Sequence, residues 1–85
     1  MNNLGWLLLD RGTYEEAAQV FARGLRQAPE KVFFYYGLAR SQEELGQSPK
    51  AVLNYREYLR HAAQVRPEVA EDIRQRLHQL GSGAP

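Results

Sequence analysis

The chain repeats itself at the spacing that separates Leu4 from Leu38. Aligning the sequence with itself at this spacing, which we call the repeat offset, places six pairs of identical or similar residues opposite each other. The pairs are Leu4 with Leu38, Gly5 with Ala39, Gly12 with Gly46, Ala17 with Ala51, Phe21 with Tyr55, and Leu25 with Leu59. A period of about 20 to 50 residues is typical of stacked supersecondary units, each of which buries its apolar face against its neighbours. The repeat therefore restricts the fold more than composition does.

Stop and start signals for helices divide the sequence into segments. Three glycines follow stretches with apolar residues at helical spacing, where a left-handed residue ends a helix most easily. They are Gly12, Gly46 and Gly81. Thr13 with Glu16 predicts a capping box, Ser48 before Pro49 predicts a capped start, and Pro67 predicts a start without a strong capping side chain.

The predicted fold is all-α, with five helices joined by short turns. The helices are expected at residues 2–11, 14–27, 31–45, 49–63 and 67–80, followed by a disordered tail at 81–85. No strand is predicted, because the β-branched residues are scattered instead of alternating in runs. Short turns fold consecutive helices back as antiparallel helix–turn–helix pairs. A chain of 85 residues has room for one domain, which we place at residues 1–80.

The pattern within each unit resembles the tetratricopeptide repeat (TPR). That repeat is about 34 residues long and has an aromatic residue, a Leu-Gly pair, a bulky residue, an Ala-x-x-x-Phe pair and a final Pro. The matching residues of the first unit are Leu4, Gly5, Leu8, Ala17, Phe21 and Pro29, and those of the second are Tyr35, Leu38, Ala39, Ala51 and Tyr55. Met1, Gln42 and Ala63 depart from the pattern. The resemblance implies a TPR-like α-solenoid fragment, with repeat one at 1–29, repeat two at 30–63 and a capping helix at 66–80.

The small residues of the pattern explain how such helices stack. Small side chains let two helix backbones approach closely, and Phe21 and Tyr55 are expected to fill the space beside that contact. The resemblance implies a further small residue on the second helix of each unit, and Gly24 fits while Tyr58 does not. Tyr58 is therefore expected to hold the fifth helix away. That helix is predicted to be a solvating cap with an apolar stripe of Val69, Ile73, Leu77 and Leu80.

The resemblance also implies a function in protein binding, because the first helices of TPR pairs commonly line a peptide groove. Carried onto this sequence, that inner face contains Asn2, Trp6, Leu9, Phe33, Tyr36, Arg40 and Glu43, to which the fifth helix adds Ala70 and Arg74. The predicted ligand is an apolar or aromatic segment of a protein or peptide partner, with Arg40 placed to bind an acidic neighbour. Some family members clamp a terminal carboxylate with Lys and Asn. Asn2 and Arg40 are the candidates for such a clamp here, but Trp6, Phe33 and Tyr36 fill its other places, so we do not expect it.

Four consecutive aromatic residues bear on this prediction. At about 100° per residue, Phe33, Phe34, Tyr35 and Tyr36 cannot all face one core. We expect Phe34 and Tyr35 to pack against neighbouring helices, and Phe33 and Tyr36 to stay partly exposed beside Trp6. The alternative is that all of them belong to the core of a small domain.

A second function remains open at this stage, namely self-assembly. The predicted array has about two and a half units, and the first helix has no preceding helix on its outer edge. Either another surface covers that edge or the chain is part of a longer array. In the first case the edge and the aromatic face would form a homo-oligomer.

Other classes of function find little support in the sequence. The net charge is +1, and the mild basic excess of the fourth helix is read as a solvated face, so no nucleic acid partner is expected. The chain has no Cys, its two His residues lie far apart at positions 61 and 78, and no Ser is placed for a catalytic triad. We therefore expect no catalysis, metal or cofactor. No signal peptide or membrane segment is predicted, so the chain is expected to be soluble and, by default, cytoplasmic.

Overall fold

The computed structural model describes residues 4–62 and 64–81, which form five α-helices and no strand. The helices are α1 (Leu4–Asp10), α2 (Tyr14–Gln27), α3 (Phe33–Glu44), α4 (Ser48–Ala62) and α5 (Pro67–Gln79). The prediction of an all-α chain with five helices is thus confirmed. Each helix contacts the next one along the chain, and α1 also contacts α3. Asn2, Ala63 and most of the expected tail, residues 82–85, lie outside the described residues.

Glycine ends three of the helices, as predicted. Gly12, Gly46 and Gly81 have φ values of 80°, 77° and 83°, a conformation that costs residues with a Cβ atom. Two of these ends use the same hydrogen bonds: the Thr13 amide donates to the Leu8 carbonyl over 2.9 Å, and the Gln47 amide donates to the Gln42 carbonyl over 2.8 Å. Both bonds belong to the Schellman motif, and they are related by the repeat offset.

The caps at the helix starts differ from the prediction in two of three cases, although α2 begins at Tyr14 as predicted. Thr13 makes no capping hydrogen bond, because its hydroxyl donates backwards to the Leu8 carbonyl over 3.1 Å. The predicted capping box is therefore wrong. Ser48 is the first residue of α4 and not its cap, since the Gln47 carbonyl already accepts the bond from the Ala51 amide. The third start is confirmed, with Pro67 as the first residue of α5.

Two clusters of buried side chains form the core. The cluster that joins α1, α2 and α3 contains Leu9, Ala17, Phe21, Phe34 and Leu38. The cluster that joins α3, α4 and α5 contains Ala39, Ala51, Tyr55, Tyr58, Ala62 and Ile73, with the rest of the predicted α5 stripe packed against it. Leu9 is only 7% exposed, so the prediction that it lines the inner face is corrected: its side chain is part of the core.

Phe21 occupies the centre of the first cluster, between two glycines. A Cβ atom on Gly5 of α1 would lie 2.7 Å from the Phe21 ring, and one on Gly37 of α3 would collide with the same ring. The ring is fully buried, so it cannot move away from one glycine without meeting the other helix. The sequence predicted the small residue at position 5 and did not single out Gly37.

The two glycines give the first prediction. Alanine is the better helix former by about 1 kcal/mol. Nevertheless, we expect Gly37→Ala to lower the free energy of unfolding by about 1 to 3 kcal/mol, because the added methyl group overpacks the site around Phe21. Urea unfolding followed by circular dichroism measures the change.

Gly46→Ala is the control. A Cβ atom at Gly46 meets no atom within 4 Å, so its cost comes from its positive φ alone. Fluorescence of the chain's single tryptophan should change in Gly37→Ala, since Trp6 contacts Phe21, and stay the same in Gly46→Ala. A gain in stability from Gly37→Ala would contradict the close approach of α2 and α3.

Candidate functional site

A pocket of about 370 Å³ opens on the face that α1, α3 and the start of α5 share. Its walls come from four helices and the residue before α5. The lining residues are Trp6, Phe33, Tyr36, Tyr58, Arg66 and Val69. Other depressions of the described surface differ in lining, since those on α5 and at the α1–α2 turn are bordered mainly by polar and charged side chains. The aromatic pocket is therefore the candidate site.

The core contact of Phe21 places Trp6 in this pocket. The Trp6 ring meets the Phe21 ring edge-on, with centroids 4.9 Å apart and planes at 70°. The Trp6 ring also contacts Tyr36, with the two ring centroids 5.8 Å apart. Edge-on and tilted arrangements at these distances are favourable for aromatic pairs. Trp6 thus connects the core of the first cluster to the pocket wall on α3.

The aromatic run of α3 divides between core and pocket. Phe34 is buried at 5% exposure, and Tyr35 packs on the second cluster with its ring stacked against His61. Phe33 and Tyr36 stay partly buried and line the pocket. This is the division that helical geometry predicted. Tyr36 packs in turn on Tyr58 of α4, with centroids 5.9 Å apart.

A network of hydrogen bonds fixes α5 against α3. The Tyr36 hydroxyl donates to Asp72 Oδ2 over 2.8 Å, and Arg76 Nε donates to the same oxygen over 2.9 Å. The Arg76 guanidinium also lies 3.4 Å from Glu43 Oε1, which accepts a bond of 2.6 Å from the Tyr55 hydroxyl. One wall residue of the pocket, Tyr36, is therefore held in place by a carboxylate of α5.

The network shifts the pKa values of its members. Burial, followed by the bond to Asp72, raises the pKa of Tyr36, and burial with the bond to Glu43 raises the pKa of Tyr55. Burial acts to raise the pKa of Asp72 as well, but the bonds from Arg76 and Tyr36 outweigh it and hold this pKa below its ordinary value of 3.8. Burial acts to lower the pKa of Arg76, but the bond to Asp72 outweighs it and raises this pKa. All four groups keep the protonation state that the network needs at neutral pH.

Arg40 stands beside the pocket, one helical turn beyond Tyr36. Its guanidinium carbon lies 5.9 Å from the centroid of the Tyr36 ring, and Nη1 is 3.5 Å from the Tyr36 hydroxyl. Within the part of the chain that the structure describes, its Nε has no hydrogen-bond acceptor. The Trp6 indole nitrogen lacks an acceptor in the same sense.

The structure therefore brings together three of the seven predicted site residues, Trp6, Phe33 and Tyr36, with Arg40 next to them. Leu9 belongs to the core, and the carboxylate of Glu43 is engaged by Tyr55 and Arg76. Asn2 lies outside the described residues.

Sequence reasoning missed the contribution of α4 to this face and assigned the wrong residues of α5 to it. The residues it did not assign to the site are Tyr58, Arg66, Val69, Asp72 and Arg76. It placed Ala70 and Arg74 there instead, but Ala70 is fully buried and Arg74 pairs with Glu71 on an exposed surface. Asp72 and Arg76 stand one helical turn apart, a spacing that pairs opposite charges on one helix face, and this signal could have identified that face.

The described helices contain none that is long and apolar enough to cross a membrane, and no cluster of three potential metal ligands occurs among these residues. No protein-family model, no curated protein and no solved structure matches the chain. Any inference about function therefore depends on the side chains that the structure describes.

The network makes a prediction about pH. A carboxyl group whose pKa is lower in the folded than in the unfolded chain stabilises the fold at neutral pH, and this contribution is lost as the pH falls through the folded pKa. We expect Asp72→Asn to lower the free energy of unfolding by about 1 kcal/mol at pH 7, a modest figure because the Asp72 side chain is 40% exposed. The difference from the unmodified chain should begin to shrink as the pH approaches 3.8, the ordinary pKa, and disappear once the pH lies below the folded pKa.

Thermal unfolding between neutral and acidic pH measures this difference. Glu71→Gln is the matched control on α5, because Glu71 lies 3.8 Å from Arg74 in an exposed pair that contributes little. A difference that is absent at pH 7, or that stays constant at every pH, would show that the Asp72 carboxylate does not hold α5.

Proposed function

We propose that this chain is a protein-interaction module that binds an apolar or aromatic segment of another protein in the pocket between α1, α3 and α5. In the proposed architecture α1–α2 and α3–α4 are TPR-like helix–turn–helix repeats, and α5 is the capping helix. Supporting it, the hydrogen bond from Thr13 to Leu8 recurs at the repeat offset as the bond from Gln47 to Gln42. Ala17 and Ala51, at the same offset, are both fully buried.

The single observation that carries the proposed function is the aromatic pocket itself. Its volume of about 370 Å³ lies near the lower end of the range for ligand sites, which suits one or two large side chains of a partner. Four aromatic residues line it, and aromatic residues with Arg at the rim are the composition of binding hot spots. The pocket is also lined by helices, which hold its shape before a ligand arrives.

The bulk of Tyr58 explains why the pocket is open. In the first unit Gly24 lets α3 approach so closely that a Cβ atom there would lie 2.7 Å from the Phe34 ring. Tyr58 of α4 occupies the equivalent position of the second unit. It is only 3% exposed and packs in the cluster that joins α3, α4 and α5. The contact of α5 with α4 is accordingly less extensive than that of α3 with α2. The gap left between α3 and the start of α5 is the pocket.

Filling the pocket tests the proposal. We expect Val69→Phe to weaken binding of a selected peptide at least about tenfold, because the larger ring occupies the space that the partner side chain needs. A displayed library of random peptides, screened against the unmodified chain, supplies the ligand. Fluorescence anisotropy of the labelled peptide gives its affinity, and the emission of Trp6 reports whether it reaches the pocket.

Leu53→Phe is the matched control, since Leu53 is 63% exposed on α4 and does not line the pocket. This variant should bind as the unmodified chain does. Equal affinities for both variants, or a library that yields no ligand, would overturn the proposed function. Circular dichroism confirms that each variant keeps its helices.

Self-assembly is the second candidate function, and exposed leucines on α1 favour it. Leu4 is 51% exposed and Leu7 is 46% exposed, although both are large apolar residues on one short helix. A second copy of the chain would cover them by placing its own α1 against this surface. Exposed apolar residues that cluster in this way mark interaction surfaces.

Light scattering across a concentration series separates the two functions. If α1 is an assembly surface, the unmodified chain will have the mass of a dimer or a larger species, and Leu7→Glu will have the mass of a monomer because a charge cannot be buried there at low cost. Leu53→Glu, which changes an exposed leucine of α4, should leave the mass unaltered. A monomer at all concentrations would exclude self-assembly and leave the pocket as the candidate site.

A further inference from the structure

We propose that the partner segment carries an acidic side chain beside the apolar one that fills the pocket, and that Arg40 binds its carboxylate. This inference rests on the proposed function of the pocket and specifies the chemistry of the partner. The occupant is a stretch of another protein that combines a large apolar residue with a neighbouring Asp or Glu. Charge complementarity is the argument for it.

Arg40 differs from the other two arginines of this face in its partners. Arg76 forms ion pairs with Asp72 and Glu43, and Arg66 forms one of 3.0 Å with Glu68. Arg40, by contrast, forms no ion pair with a carboxylate in the described part of the chain. A guanidinium carries five donors, and the buried Nε of Arg40 has no acceptor among the described residues.

The polar contact that the Arg40 side chain makes with Tyr36, within the described residues, does not provide this acceptor. Its Nη1 lies 3.5 Å from the Tyr36 hydroxyl, at the outer limit of a hydrogen bond, and that hydroxyl already donates to Asp72. The contact with the Tyr36 ring, at 5.9 Å, lies near the limit for a cation–π interaction. The Asp72 carboxylate attracts Arg40 through space, but it forms no ion pair with it, so the buried Nε keeps a donor that a partner carboxylate could bind.

The position of Arg40 links this charge to the pocket. Tyr36 lines the pocket, and Arg40 follows it one turn later on α3, which is about 6 Å along a helix. A partner side chain packed on Tyr36 therefore brings its neighbours within reach of the guanidinium. A carboxylate suits this place because Arg binds it through two parallel N–H bonds, which fix its orientation. In a helical partner the acidic residue would stand three or four positions from the apolar anchor.

Arg66 is a weaker candidate for the same role. It lines the pocket, but its side chain is 61% exposed and already paired with Glu68. A partner carboxylate would have to compete with that pair. The acidic residue is therefore expected at Arg40.

Parallel selections from one library of random displayed peptides test the inference. The targets are the unmodified chain, Arg40→Gln and Arg60→Gln, where Arg60 is an exposed residue of α4 that pairs with Glu57 at 3.4 Å. We expect the unmodified chain and Arg60→Gln to enrich peptides with an apolar anchor and a nearby Asp or Glu. Arg40→Gln should enrich the apolar anchor without the acid.

A change on the peptide side keeps the test independent of the variant's folding. In the best peptide from the unmodified chain, Glu→Gln or Asp→Asn at the enriched position should weaken binding at least about tenfold, and by much less when Arg40→Gln is the target. Anchored peptides that bind equally well with and without the acid would overturn this inference and leave the proposed function intact. Peptides enriched for acid but without an apolar anchor, or no enrichment at all, would contradict both.

Discussion

The structure depends on one contact, the ring of Phe21 between Gly5 and Gly37. Both glycines lack the Cβ atom that would strike the ring, so α1 and α3 approach α2 from two sides and also meet each other. This arrangement brings Trp6, the neighbour of Gly5, to within 5.8 Å of Tyr36, the neighbour of Gly37. The aromatic walls that α1 and α3 give the pocket are thus a direct consequence of how the first core cluster is packed.

The α5 wall of the pocket is held in place by hydrogen bonds and ion pairs as well as by apolar packing. Apolar packing fixes Ile73 in the second cluster, but the side of α5 that faces α3 is held by Asp72 and Arg76, whose bonds weaken with acid and salt. A ligand that contacts Arg66 and Val69 would add contacts to the start of α5 and so favour its docked position. Binding at the pocket and docking of α5 are therefore expected to stabilise each other.

Sequence reasoning could predict what depends on local signals and on the repeat. Glycine stops, the small buried residues at 17 and 51, and the division of the aromatic run follow from helix geometry, and the structure agrees with them. It could not predict the hydrogen bond of the Thr13 hydroxyl. This group donates to the Leu8 carbonyl of the preceding helix, α1, and does not cap α2. Nor could sequence reasoning fix the rotation of α5, because Ala70 and Val69 are both apolar and only tertiary packing decides which one is buried. The α1 and α3 walls of the pocket could therefore be predicted from the sequence, whereas the residues of α5 that line it could not.

Positions 6 and 40 are equivalent at the repeat offset, but one is Trp and the other is Arg. The two ends of the pocket face therefore differ in chemistry. Trp6 offers an apolar ring, Arg40 offers a charge, and both contact Tyr36. Two identical aromatic positions would bind an apolar segment equally well in either orientation, because burial of apolar surface is not directional. An aromatic residue at one position and a guanidinium at the other favour a segment whose own apolar and acidic residues come in matching order. In the proposed binding mode, this difference between positions 6 and 40 lets the face discriminate between partners.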